Sequence, residues 1–219
     1  MITKDQQRAM NLYSGMMDEM KMRLDAVKFS ISGLLQLHPI IIREFSYLQL
    51  RMICELIALG CLTAHGDIPA TKTLRKAWSA DEIFKALERL HPDFYPHPVE
   101  QVSKPGWMEL KPIQSGFLTK AELLSLNGQS GDILHRGSLR KLLAGPISAR
   151  QDHPDVSTWI RKIRLLLRTH RIGLTGGQSH FICVMSASLA GGKAQVAFAE
   201  SALPPSEFLS PGDPSDHAK

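Results

Sequence analysis

Apolar residues in the first part of the chain recur three and four apart. Between Asp5 and about Gln36 the positions Met10, Tyr13, Met16, Met17, Met20, Leu24, Val27, Phe29, Ile31, Leu34 and Leu35 recur with charges between them, which predicts a long helical stretch. His38-Pro39 ends it, because the residue before a proline avoids the α region. From about Ile40 to His65 the pattern changes. Between Met52 and Ala64 apolar residues fall on every side of the cylinder, with Glu55 the single charge. A helix apolar all round is buried on all sides. The uncharged run from Leu56 to Ala64 is well short of the ~20 residues that span a bilayer, so it predicts a core helix and no membrane partner.

Further on, Ser79-Ala80-Asp81-Glu82 has the form of a capping box and predicts a helix to Leu90, after a short helix over 74–78. Five of the thirteen prolines fall between His91 and Pro112, beside the aromatics Phe94, Tyr95 and Trp107. That stretch reads as an ordered excursion with extended pieces around Val99 and Trp107–Leu110. Thr119 and Glu122 form a second capping box, opening a helix toward His135. A last helix is expected over about 156–170, with Trp159, Ile160, Ile163, Leu166 and Leu167 on its apolar stripe. The period then becomes two: His180–Ser188, a turn at Gly191-Gly192, and Ala194–Ser201 read as a β-hairpin. The fold class predicted is mainly α. It is a helical bundle around a buried central helix (about 40–65), with a proline-rich excursion and a small C-terminal β-hairpin at about 180–201. One domain is expected over 1–202, followed by a disordered tail over 203–219.

The composition, 43% hydrophobic and 21% charged, fits a soluble globular chain, and three scattered cysteines fit the reducing cytoplasm. The net charge of +5 is regional: nine bases and two acids lie between Arg136 and Arg171. Arg161, Lys162, Arg164 and Arg168 share the polar face of the last helix. They are candidates to follow a nucleic-acid backbone, although a solvated face is the plainer reading. Asp132 and His135 are three apart, so on a helix they share a face, and a carboxylate beside an imidazole suits acid–base work. Arg136 adds a permanent cation for a phosphate. Arg51 and Glu55 are four apart on the central helix, as an ion pair or as part of a buried functional cluster. No HExxH or Cys-x-x-Cys spacing occurs, so no metal and no cofactor is expected. His38, His91, His97 and His153 each precede proline, which marks loop positions more than ligands.

A core helix with Arg51-x-x-x-Glu55, followed by a helix ending in Ser130-Gly131-Asp132-Ile133-Leu134-His135-Arg136-Gly137, resembles the HEPN superfamily (higher eukaryotes and prokaryotes nucleotide-binding domains). The resemblance implies a helical bundle, a homodimer, and RNA as a partner. Many members are metal-independent ribonucleases or their inactive relatives, in toxin–antitoxin and antiviral systems. The family's arginine, upstream of its histidine, would fall at Gly128, Gln129 or Ser130, so its place would pass to Arg136 or Arg51. The first functional reading is therefore a non-catalytic interaction or RNA-binding protein. The alternative is a metal-independent endoribonuclease using His135 with an arginine.

Overall fold

The structure, a computed structural model, describes residues 2–65, 79–104, 107–135, 153–174, 176–186 and 191–200. The expected short helix over 74–78, Arg136 and the tail over 203–219 lie outside these residues.

Helix α1 (Lys4–Ser30) opens on a capping box in which Thr3 accepts from the Gln6 N–H and Gln6 accepts from the Thr3 N–H. Met10, Met17 and Met20 are buried, so the methionine run mostly fills core. The helix stops at Ser30, short of Gln36, and Gly33 takes a left-handed turn (φ 82°) before α2 (Pro39–Ala64) begins. Proline sits in the first turn of α2, where its missing N–H costs nothing, and His38 Nδ1 accepts from the Ile40 N–H. Helices α1 and α2 approach closely at Gly60, where an added Cβ would lie 3.1 Å from the Tyr13 ring. By length and composition α2 could cross a bilayer, with a mean hydropathy of 1.4, yet 56% of that window is buried inside the protein.

Helix α3 (Ala80–Leu90) follows, then strands β1 (His97–Lys104) and β2 (Trp107–Pro112), helix α4 (Lys120–Leu134) and helix α5 (His153–Leu167). The chain ends its described course in β3 (Thr169–Gly173), β4 (Ser179–Val184) and β5 (Gln195–Glu200). The Thr119–Glu122 capping box forms as expected, whereas Ser79 caps α3 without a side-chain hydrogen bond. Helix α4 packs on α2, with Gly131 facing Arg51.

The expectation of a mainly α protein with one small hairpin is overturned. The strands form one five-stranded antiparallel sheet in the order β2-β1-β3-β4-β5. The proline-rich excursion supplies two of these strands, and β3 joins them to the C-terminal pair. The sequence pattern hides β3 because it follows α5 directly. The helix ends at Leu167 instead of His170, and the Met185 N–H already bonds to the Arg168 carbonyl at 3.0 Å. From there burial alternates: His170 and Ile172 face the core, opposite Cys183 and Phe181, while Arg171 lies on the other face with Ile182 opposite it.

One buried polar contact ties the sheet to α1. His170 Nε2 lies 2.7 Å from the Tyr13 hydroxyl, and its Nδ1 lies 3.2 Å from the Leu167 carbonyl. Burial pushes the His170 pKa down to about 4, so the ring is neutral, donates to Leu167 and accepts from Tyr13. The unfolded ring, with its ordinary value of 6.5, takes a proton first as pH falls. Stability supplied by this neutral ring is therefore complete above pH 6.5 and is lost toward pH 4. In denaturant melts across that window, His170→Gln should lower stability at neutral pH and flatten the acid limb. An acid limb identical to wild type would contradict this assignment.

Candidate functional site

The residues singled out for chemistry in α4 and α2 do not converge. Arg51 Nε donates to Glu55 at 3.1 Å; both side chains are half-buried, and the Arg51 guanidinium lies beside Gly131 of α4. Asp132 and His135 are exposed, and no hydrogen bond joins them. His135 is the C-cap residue of α4, where the backbone turns extended (ψ 117°) and leaves the helix. Arg136 lies outside the described residues. On α5, Lys162 pairs with Glu122 and sits 5.8 Å from the Trp159 ring centre, and Arg164 pairs with Asp25 at 2.5 Å. Arg161 and Arg168 are exposed and make no ion pair among the described residues.

A different group of side chains does converge, on the outer face of the sheet. Its foundation is the segment His91-Pro92-Asp93-Phe94-Tyr95-Pro96-His97. Phe94 and Tyr95 are buried against Phe84, with ring centres at 5.4 and 5.8 Å, and the Tyr95 hydroxyl donates to the Leu118 carbonyl at 2.9 Å. These two anchors fix the loop and leave the flanking polar residues, Asp93 and His97, half-exposed over the sheet. His97 stands opposite Arg171 across the β1–β3 pairing, and His180 stands opposite Gly173 across β3–β4. Arg171 and Gly173 are two apart on one strand. His97, Arg171 and His180 therefore share a face.

Asp93 is the hub. His97 Nε2 lies 2.5 Å from its Oδ1, and Arg171 Nη1 lies 3.7 Å from its Oδ2. The carboxylate reaches this position because residue 173 has no side chain. A Cβ there would sit 2.4 Å from Asp93 Oδ2 and 3.2 Å from the Asp93 carbonyl oxygen. The Gly173 carbonyl is held in turn by two rings, His65 Nε2 at 3.0 Å and His91 Nε2 at 3.1 Å. Their ring centres are 5.2 Å apart.

Electrostatics follow from this packing. Burial alone would raise the Asp93 carboxyl, but the His97 hydrogen bond and the nearby His97, Arg171 and His91 charges bring it below its ordinary value. Asp93 is thus a carboxylate at neutral pH, fit to orient the His97 imidazole. His180 is lowered, first by burial and then by the Arg171 cation, so its ring is neutral at pH 7. Its Nδ1 is buried with no hydrogen-bond partner. One face thus carries an imidazole held by a carboxylate, a guanidinium and a second, neutral imidazole. Among the described residues, no group of three or more His, Cys, Asp and Glu is arranged to hold a metal ion.

Sequence reasoning missed this cluster. Asp93, Arg171 and His180 carried no local motif, and His91 and His97 were set aside because a proline follows each. The chain matches no family model, no curated protein and no solved structure. The HEPN resemblance therefore rests on its motif residues alone.

The close approach at Gly173 gives a test of the geometry. Gly173→Ala should displace Asp93, at a cost of about 1–3 kcal/mol in denaturant melts. It should also shift the His97 ring signals in NMR as strongly as Asp93→Asn does. Unchanged His97 signals in the alanine variant would show that the carboxylate does not depend on the missing Cβ.

Proposed function

We propose that the protein acts on RNA at the outer face of the sheet, as a metal-independent endoribonuclease built on His97, Asp93, Arg171 and His180. The single observation that carries this reading is the sharing of one sheet face by two imidazoles in different electrostatic settings, with a guanidinium near both. Acid–base catalysis of phosphodiester transfer requires one ring to take a proton and another to give one. It also requires a cation for the charge that builds on the phosphate oxygens.

The roles follow from the environments. His180, neutral at pH 7, takes the proton of a ribose 2′-hydroxyl on its Nε2, the ring nitrogen opposite the buried Nδ1. The 2′-oxygen attacks the adjacent phosphorus. Arg171 holds the non-bridging oxygens, and His97, its Nε2 held by Asp93, gives a proton from its other ring nitrogen to the departing 5′-oxygen. The products are a 2′,3′-cyclic phosphate and a 5′-hydroxyl, and proton exchange with water between the rings resets the site. The exposed Arg161, on α5, and Arg168, between α5 and β3, supply phosphate contacts along the strand. A non-catalytic RNA-binding role uses the same cations without the proton transfers.

Labelled single-stranded RNA in EDTA tests both readings. Cleavage should leave cyclic phosphate ends, and His97→Gln and His180→Gln should each slow it by roughly 10²–10⁴-fold. RNA methylated at every 2′-oxygen should bind and stay intact. The rate at low substrate should rise with pH through the His180 ionisation, below the ordinary 6.5, because the base must be unprotonated. Binding without cleavage would leave only the RNA-binding role. Cleavage indifferent to both substitutions, or no binding at low salt, would reject the site.

A further inference from the structure

A buried serine pair, Ser30 Oγ and Ser46 Oγ at 3.3 Å, joins the end of α1 to α2. Between those two serines the chain forms a tip: the turn over 31–38 and the first two turns of α2. Six of the ten exposed large apolar side chains among the described residues lie on this tip or at its base: Phe29, Leu34, Leu37, Ile41, Phe45 and Leu48. Leu34, in the turn, is 72% exposed and Leu37 50%. Together the six expose roughly 600 Å², the upper end of what the largest apolar patch of a typical monomer reaches. The charge of the stretch is one-sided. No acid occurs between Asp25 and Glu44, while Lys28 and Arg43 are both bases.

We propose that this tip inserts into the surface of a lipid bilayer with anionic headgroups. Such a contact needs no spanning run, only apolar side chains that pass the headgroup level. Three observations favour a bilayer. The exposed apolar residues are spread over two helix ends and the turn between them, instead of along one groove or one helix face. A bilayer receives a whole tip of this kind, because it is apolar in every direction parallel to its plane. Secondly, the backbone at both helix ends is satisfied from within. The Ile31 and Ser32 N–H groups donate to the Val27 and Phe29 carbonyls, and the Leu34 N–H donates to Ser32 Oγ. On the α2 side Pro39 has no N–H, His38 Nδ1 accepts from Ile40, and the His38 carbonyl accepts from Ile41 and Ile42. Backbone groups without partners are costly in an apolar medium, so ends capped in this way suit entry into one. Thirdly, anionic headgroups attract the exposed Lys28 and Arg43, and no carboxylate within the stretch opposes them. His65 stands at the other end of α2, roughly 36 Å along the axis from Ile41, so the tip can be altered without touching the His97 cluster.

Co-sedimentation of the full chain with vesicles tests the proposal. Vesicles of phosphatidylcholine mixed with phosphatidylserine should carry wild type down. Vesicles of phosphatidylcholine alone should bind it roughly tenfold more weakly. Leu34→Glu and Leu37→Glu should each weaken binding by roughly tenfold or more, with circular dichroism and melting temperature unchanged. Lys28→Glu should remove most of the preference for phosphatidylserine. Leu12→Glu, at a site 55% exposed on the other half of α1, should change nothing. Leu34→Trp should add fluorescence that lipids brominated on their acyl chains quench. If Leu37→Glu lowers the melting temperature, the two substitutions of Leu34 decide. Three outcomes would overturn the proposal. One is wild type that stays in solution with the anionic vesicles. Another is binding that survives Leu34→Glu. The third is self-association, seen by sedimentation velocity without vesicle binding and abolished by Leu34→Glu, which would assign the tip to a protein surface.

Discussion

The burial of the second half of α2, from Leu50 to Ala64, is the constraint on which the other elements depend. Its core positions, from Leu50 through Ile53, Ile57 and Cys61, are withdrawn from water, so neighbours must cover it from several directions. Helix α1 covers one side through Tyr13 and Gly60, and α4 covers another. The same helix reaches the functional face. The residue that caps its C-terminus, His65, bridges the Cys61 carbonyl at 2.7 Å and the Gly173 carbonyl at 3.0 Å. The core helix thereby fixes the backbone of β3 at the residue whose missing side chain admits Asp93. A rigid apolar element and a half-exposed polar cluster are linked by one imidazole.

Within the cluster, a single carboxylate faces one permanent cation and several rings that can become cations. That imbalance explains the directions of the shifts. Asp93 accepts a hydrogen bond from His97 and lies near the charges of His97, Arg171 and His91, so its charged form is favoured despite partial burial. His180 feels Arg171 more than it feels Asp93, so its charged form is disfavoured. Two histidines on one sheet face acquire different tasks through distance from one carboxylate. A cluster of this kind attracts anions because its own negative charge is fully engaged.

The helices were largely legible in the sequence because their signals are local. Periodicity found α1 and α2, and capping boxes at Thr119 and Ser79 found α4 and α3 to within a residue or so, although Ser79 lacks the predicted side-chain bond. Strand β3 was not legible. Its five residues follow α5 without an intervening loop, and Arg168, Thr169, His170 and Arg171 continue a helical pattern as readily as they begin a strand. With β3 missing, the excursion and the hairpin looked like separate appendages, and the sheet between them was lost. The cluster was lost for the same reason, since Asp93 and His97 meet Arg171 and His180 only through β3. The proline after His91 did mark a loop, whereas His97-Pro98 opens strand β1. What neither proline reveals is that Phe94 and Tyr95 make that loop rigid.

The β1–β3 pairing has a mechanical meaning. Only His97 with Arg171 and Pro98 with His170 are in register between the two halves of the sheet, while β1 and β2 pair along six positions with each other. Within the sheet, the β1–β2 hairpin is therefore a cantilever, stiff along its own length and joined to β3 at its root, with α5 packed against β1. A load on the far end concentrates its bending moment at that root, which is where His97 and Arg171 stand. Anything that grips the distal hairpin acts with the leverage of its full length on the spacing between those two side chains.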